Sequence, residues 1–168
     1  MKVIELLDGS TAQVGPIKVS ARQNSHYSFV PGSDLDRAYK SLSFRFDAPG
    51  RSITYTGDTG PSTAVEELAS GADLLVSEMI DLDRVLTPAQ RMNLAGNTSA
   101  QDMPRHLREH HITPDQIGEI AAHAKVHSLV ITHLVAPGAT AADLMGYHAR
   151  IAQHYSGPVM IANDLDVF

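Results

Sequence analysis

Ile53-Thr54-Tyr55-Thr56-Gly57-Asp58-Thr59-Gly60 changes its chemistry within eight residues: an apolar-alternating strand ends in a carboxylate. Gly57 and Gly60 bracket Asp58, so the backbone can turn sharply and approach a ligand closely. An acidic side chain then stands at the carboxyl end of a strand, where α/β proteins place their sites. A metal ion would find a hard oxygen ligand there. Asp58 also suits an Asx turn or a cap that closes a strand-to-helix connection, and the segment alone leaves both roles open.

Upstream of Asp58 the chain reads as antiparallel strands. Arg51-Ser52-Ile53-Thr54-Tyr55 pairs as a hairpin with Leu42-Ser43-Phe44-Arg45-Phe46 across the turn Asp47-Ala48-Pro49-Gly50. Ile17-Lys18-Val19-Ser20-Ala21 alternates with period two, and Val3-Ile4-Glu5-Leu6-Leu7 before Asp8-Gly9 predicts a further strand. The polar break Gln23-Asn24-Ser25-His26-Tyr27 places a histidine at a strand end.

Downstream the period changes. Thr63 with Glu66 reads as a capping box, Val65, Leu68 and Ala69 form an apolar face, and Gly71 can end the helix. Ala72-Asp73-Leu74-Leu75-Val76-Ser77-Glu78 predicts a buried strand with a polar tip. Between Met79 and Arg108 the pattern is irregular, with helix starts at Thr87-Pro88-Ala89-Gln90 and at Ser99 around a break at Gly96-Asn97-Thr98; a lid-like insertion is expected. Thr113-Pro114-Asp115-Gln116 opens a helix whose Ile117, Ile120, Ala121 and Ala124 share one face. Ser128-Leu129-Val130-Ile131-Thr132-His133 is a strand too apolar for a wet face, and it ends in another possible ligand. A helix from Thr140 to His154 and a strand at Pro158-Val159-Met160-Ile161-Ala162 close the chain, with Asp164 as a cap or a site-facing residue.

At 168 residues the sequence is long enough for one domain with a real core, and 43% hydrophobic with 19% charged residues is an ordinary globular balance. A net charge of -6, from 19 acidic against 13 basic residues, predicts no dedicated nucleic-acid surface. Without cysteine, thiolate metal sites and disulfides are impossible, and nine histidines leave imidazole and carboxylate as the available ligands. Charge in Met1-Lys2-Val3-Ile4-Glu5 where a signal peptide needs an apolar run, and no window of membrane-spanning length, lead to an expectation of a soluble, cytoplasmic protein.

His26, Asp58 and His133 thus stand at three expected strand ends. Together they offer the nitrogen and oxygen donors that zinc, manganese or iron accept. The ordered set of Ile53 to Gly60, Ala72 to Glu78, His111-Ile112-Thr113-Pro114 and Leu129 to Leu134 resembles the second half of the metallo-β-lactamase superfamily, nearest the ribonuclease Z and phosphodiesterase branch. The resemblance implies an α+β fold, half of an αββα sandwich, with a mixed β-sheet and helices on one face. It implies His26 as a ligand of one metal, Asp58 as the carboxylate bridging two, and His133 as a ligand of the second. Glu78 and His111 match a supporting acid and histidine pair near the reacting phosphate. By their residue types, Glu78 also suits a solvated strand end and His110 or His111 a helix-terminus charge, while His106, His123, His127, His148 and His154 are assigned to surface or core.

One departure matters more than the match. The family's His-x-His-x-Asp-His motif, which supplies most metal ligands from an upstream half, is absent from residues 1–168. The chain is therefore expected to be a single domain resembling the carboxyl-terminal half: a truncated product, a separately encoded half, or part of a larger protein. Two functions follow. One is a metal-dependent hydrolase of phosphodiester, ester or lactam bonds, acting on a small-molecule or phosphodiester substrate and inactive in isolation, with zinc (or manganese or iron) held weakly or not at all. The other is a non-catalytic αβ module that forms a homo-oligomer or binds a partner, such as a complementary amino-terminal half, through the face that half would cover. A doubly wound phosphate or cation binder is a weaker third reading, for no glycine-rich phosphate loop supports it.

Overall fold

A computed structural model of the chain describes residues 3–27, 29–88 and 103–168. The expected hairpin forms: β3 (Leu42–Ala48) turns at Pro49 and Gly50 into β4 (Arg51–Tyr55), and Gly50 takes the positive φ of 81° that such a turn requires. Before it lie β1 (Thr11–Val14), β2 (Ile17–Gln23) and the short helix α1 (Asp34–Ala38). After it come α2 (Thr63–Ala69), β5 (Leu74–Ile80), α3 (Leu82–Val85), α4 (Met103–His110), α5 (Pro114–His123), β6 (Leu129–Val135), α6 (Ala141–Ile151) and β7 (Val159–Ile161). The seven strands form one mixed sheet in the order of the sequence. β1 to β4 pair antiparallel, and β4 to β7 pair parallel, so the carboxyl ends of β4, β5 and β6 point the same way, as their shared pattern predicts.

Strand alternation gives the sheet two unlike faces. On one, Leu75, Leu129 and Ile131 pack under Ile117, Ile120 and Ala121 of α5, Tyr147 and Ile151 of α6, and Ala69 of α2. Each parallel crossover delivers its helix to this face. On the other, Leu74, Val76 and Val130 cluster with Ile53, and beside them Ile17, Phe44, Phe46, Ile53 and Tyr55 line an open apolar groove of about 620 Å³. This is a sheet with helices on one face, the α+β half-sandwich expected from the sequence.

Local signals succeeded where they used backbone chemistry. Thr113 and Gln116 form the predicted capping box, Thr140 and Asp143 form another, and Gly71 ends α2 at φ 63°. Three expectations need correction. Residues 3–7 join no strand: the place beside β2 is taken by Thr11–Val14, which Gly15 at φ 56° folds tightly back onto Ile17. Ser62, rather than Thr63, is the cap of α2, and its side chain makes no capping bond; the helix starts one residue earlier than the Thr63–Glu66 spacing requires, so Thr63 is already inside its first turn. Asp164 closes no turn; Asp166 does, accepting from the Asn163 backbone at 2.8 Å. Of the expected insertion, Met79 and Ile80 still belong to β5, α3 and the start of α4 are helical, and Gln90 and Ser99, the Gly96-Asn97-Thr98 break and the lid itself lie outside the described residues. No described helix is long and apolar enough to cross a membrane.

Candidate active site

The site begins where the strand of Ile53 to Tyr55 gives out. Thr56 continues the β4 to β5 pairing through its N–H to Val76 at 3.0 Å; then Gly57 turns at φ 61° and Asp58 emerges half-exposed. The loop is tied back at once, for the Thr59 backbone donates to Glu78 at 3.1 Å. Gly60 is required by close approach: a Cβ there would stand 2.0 Å from the Glu109 carbonyl oxygen at the end of α4. Glycine thus lets the Asp58 loop and the carboxyl end of α4 touch.

That contact brings His110 and His111 to the sheet. The Asn24 amide donates to the Thr56 carbonyl at 3.0 Å, and its Oδ1 accepts from the His26 backbone, which fixes the loop after β2. His26 Nδ1 then donates to the His110 carbonyl at 3.1 Å while His110 Nδ1 donates to the Ser25 carbonyl at 2.7 Å. The two loops are stitched in both directions. His110 is therefore buried in a structural exchange rather than placed as a free helix-end charge.

Glu78 is not a solvated strand tip. It is 3% exposed inside β5, on the face of Leu74 and Val76, and its carboxylate accepts from His111 Nδ1 at 3.0 and 3.1 Å. This hydrogen bond raises the His111 pKa above the usual imidazole range, with the Glu78 and Asp58 charges acting in the same direction against burial. With Nδ1 committed to Glu78, Nε2 is the His111 atom left for chemistry.

His133 does not end its strand either. The register slips between Ser77 and Met79, so Thr132 and His133 together oppose Glu78, and His133 adopts φ 44° within β6. A bulge of this kind re-aims a side chain, and a left-handed non-glycine residue is sparingly populated unless its surroundings hold it. The imidazole Nε2 lies 3.5 Å from Asp58 Oδ1, both side chains half-exposed or more. Asp58, Glu78, Thr132 and His133 share a cleft of about 230 Å³ whose wall continues through Phe44 and Tyr55 into the apolar groove.

The predicted residues therefore fall into two groups: Asp58 with His133, and His26 with His111 and Glu78. The sequence reading missed one member. His106, assigned there to surface or core, stands one helical turn before His110 with its ring centroid 5.6 Å from His26 and 5.8 Å from His111. Its burial, then the neighbouring imidazoles, hold its pKa below the usual range. The spacing His106, His110, His111 was visible, but only the fold shows which of them turn inward. Imidazole and carboxylate donors converging in this way fit a divalent ion: Asp58 and His133 can share one, and His26 retains Nε2 for another.

Residues 1–134 match the family model described as the beta-lactamase superfamily domain. A ribonuclease Z of Mycobacterium avium (strain 104) is 35% identical over 126 residues, 74% of this chain and 40% of the relative. A ribonuclease Z of Mycobacterium marinum aligns over 98% of this chain and 52% of its own length at 26% identity. Among solved structures, the metallo-beta-lactamase fold protein YhfI from Bacillus subtilis superposes with a TM-score of 0.65 at 20% identity, over 96% of this chain and 53% of that one. The short form of human tRNase Z superposes with a TM-score of 0.54 at 19% identity, over 94% of this chain and 43% of that one. The chain spans about half the length, or less, of these relatives. With the model matching well over half of its residues, the chain belongs to the beta-lactamase superfamily of metallo-β-lactamase-fold proteins.

Proposed function

We propose that this chain supplies the carboxyl-terminal half of a metal-dependent hydrolase acting on phosphodiesters, with RNA as the substrate class. The observation that carries the reading is the Glu78 and His111 pair, buried and oriented, beside the Asp58 and His133 cleft. The ribonuclease Z names of the matched relatives support the RNA assignment. They also remove the force of the overall charge, because the -6 balance describes about half of such a protein and not its whole substrate surface.

In this reading Asp58, His133 and His26 are the chain's metal ligands, completed by donors from the half that carries His-x-His-x-Asp-His. A bound divalent ion, zinc by preference with manganese or iron as alternatives, supplies Lewis-acid polarisation of the scissile phosphodiester. His111 holds a proton at Nε2 for the departing oxygen, and Glu78 keeps the ring oriented and basic enough to carry it near neutral pH. Thr59, by donating to Glu78, fixes the acid in turn. The complementary half covers the apolar groove, since groove and cleft share Phe44 and Tyr55. A non-catalytic partner-binding module would use the same groove but has no need of a buried, oriented carboxylate and imidazole.

The test is complementation. The chain is mixed with an amino-terminal half of a ribonuclease Z-like relative bearing the missing motif, and hydrolysis of a phosphodiester and of an RNA substrate is followed. Turnover on mixing, lost in Asp58→Ala and in His111→Ala, is expected. Turnover that survives Asp58→Ala would end the proposal.

A further inference from the structure

We propose that the chain by itself carries an alternative metal site made of three imidazoles, His26, His106 and His111, which takes zinc or cobalt(II) without help from Asp58, His133 or another half and competes with the proposed hydrolase site for His26. Each of the three offers a ring nitrogen, and these nitrogens lie within 4.8 Å of one another. A tetrahedral zinc with bonds of about 2.0–2.1 Å holds its nitrogens roughly 3.3 Å apart. Closing to that spacing is a movement of up to about 1.5 Å per pair. His106 can make it, because it is part-buried on the surface of α4 rather than locked in the core.

The other two ligands are already prepared. A metal-binding histidine normally donates its second ring nitrogen to a carboxylate or a backbone carbonyl, which fixes the tautomer and aims the free nitrogen. His111 does so to Glu78 and His26 does so to the His110 carbonyl. Both therefore present Nε2. The His26 and His111 rings lie edge to face at 79° with centroids 5.2 Å apart. Three neutral imidazoles with a fourth position open to water form a coordination set that zinc and cobalt(II) accept.

The geometry rests on the backbone of the Asp58 loop, not on the Asp58 carboxylate. His106 and His111 flank the end of α4, and the contact of Gly60 with Glu109 presses that end against the loop of His26. The site thus needs the fold but not the cleft at Asp58. Occupation engages the Nε2 of His111 to which the proposed function gives a proton, so an ion here and proton donation by His111 exclude each other.

The experiment is titration of the chain with cobalt(II), read by visible absorption, and with zinc, read by calorimetry. One equivalent is expected to give the intense bands of a tetrahedral ion. His106→Ala is expected to weaken zinc binding by at least about 10-fold, the smaller end of what even supporting residues of a metal site contribute. Asp58→Ala and His133→Ala are expected to leave it within about 2-fold. His106→Gln, which keeps a polar side chain of similar bulk on α4, serves as a second variant, with circular dichroism as the folding check. Binding that is absent, unaffected by both His106 variants, or weakened as much by Asp58→Ala as by His106→Ala overturns the proposal. The last outcome points to an ion in the Asp58 cleft, so failure here is distinct from failure of the complementation test.

Discussion

The two faces of the sheet are built from the same kinds of side chain and live in different surroundings. Leu75, Leu129 and Ile131 on the helix face are 0–1% exposed, whereas on the opposite face Tyr55 is 45% exposed and Phe44 and Phe46 line an open groove. Alternation within a strand assigns residues to faces; it does not say what covers a face. The helix face is covered because α2, α5 and α6 lie in the crossovers between parallel strands, and among the described residues the antiparallel strands β1 to β4 bring no such cover to the other side. The candidate site sits at the carboxyl ends of β4 to β6, beside the open groove of β3 and β4, with Glu78 on the face of Leu74 and Val76, which are 5% and 7% exposed, and closed over by His111.

The largest expected effect comes from removing a side chain on the covered face. Ile131→Ala leaves a cavity beneath α5 and α6 and should cost about 2–5 kcal/mol of unfolding free energy. Phe46→Ala removes a larger side chain from the open groove, where partners are missing on one side, and should cost under about 1 kcal/mol. Urea denaturation of the two variants checks the pair; equal losses would mean that the second face is packed after all.

Gly60→Ala comes next, because it strikes the joint between the site and α4. Its Cβ has nowhere to go at 2.0 Å from a backbone carbonyl, so the end of α4 must move. A cost of about 1–3 kcal/mol, typical of overpacking, is expected. The same shift should lengthen the His111 to Glu78 hydrogen bond, visible as a change in the His111 imidazole resonance. Normal stability with an unmoved resonance would show that the loop gives way instead.

Between these extremes lies Tyr147, buried beneath the helix face. Its hydroxyl donates to Asp81 at 2.5 Å, and burial, then this carboxylate, pushes its pKa up to about 12. Tyr147→Phe leaves the buried Asp81 without that donor, at about 1–3 kcal/mol. Asp81 keeps the Asp83 N–H that it accepts at 2.9 Å, which favours the lower end. Thermal unfolding of the variant measures the loss; an unchanged midpoint would mean that water replaces the hydroxyl.

How far the sequence could be read follows from the same contrast. The hairpin, the parallel strands and the capping box of α5 were legible because each rests on signals within a few residues: Pro49-Gly50, Thr113 with Gln116, the apolar run before His133. The bulge that re-aims His133 was not, since it depends on how β6 meets β5. Nor was the inward turn of His106, which depends on Gly60 admitting the end of α4. Residues 3–7 misled because their apolar pattern is that of a strand, and the competing pairing of Thr11–Val14 is decided by the tight turn at Gly15.

The smallest effect is expected at the far end of the covered face, away from the site. Asp73 accepts from the Ser52 backbone at 2.7 Å and from its hydroxyl at 2.8 Å, with His127 3.1 Å from the other oxygen, and so ties the start of β5 to the start of β4. The Ser52 backbone bond, then its hydroxyl and His127, lower the Asp73 pKa from 3.8 to about 2. The folded value lies below the unfolded one, so the ionised carboxylate favours the folded state above about pH 4, and that contribution disappears as the pH falls from about 4 to about 2. Asp73→Asn keeps an oxygen for Ser52 but has no proton to gain. The stability difference between the parent chain and Asp73→Asn should therefore be level above pH 4 and shrink toward pH 2, while the Asp58 cleft at the opposite end of the strands is untouched. Because the group is open to solvent, added salt should reduce the difference further. Unfolding curves of both proteins through this range decide the matter, and a difference that stays constant down to pH 2 would show that Asp73 is not the titrating tie.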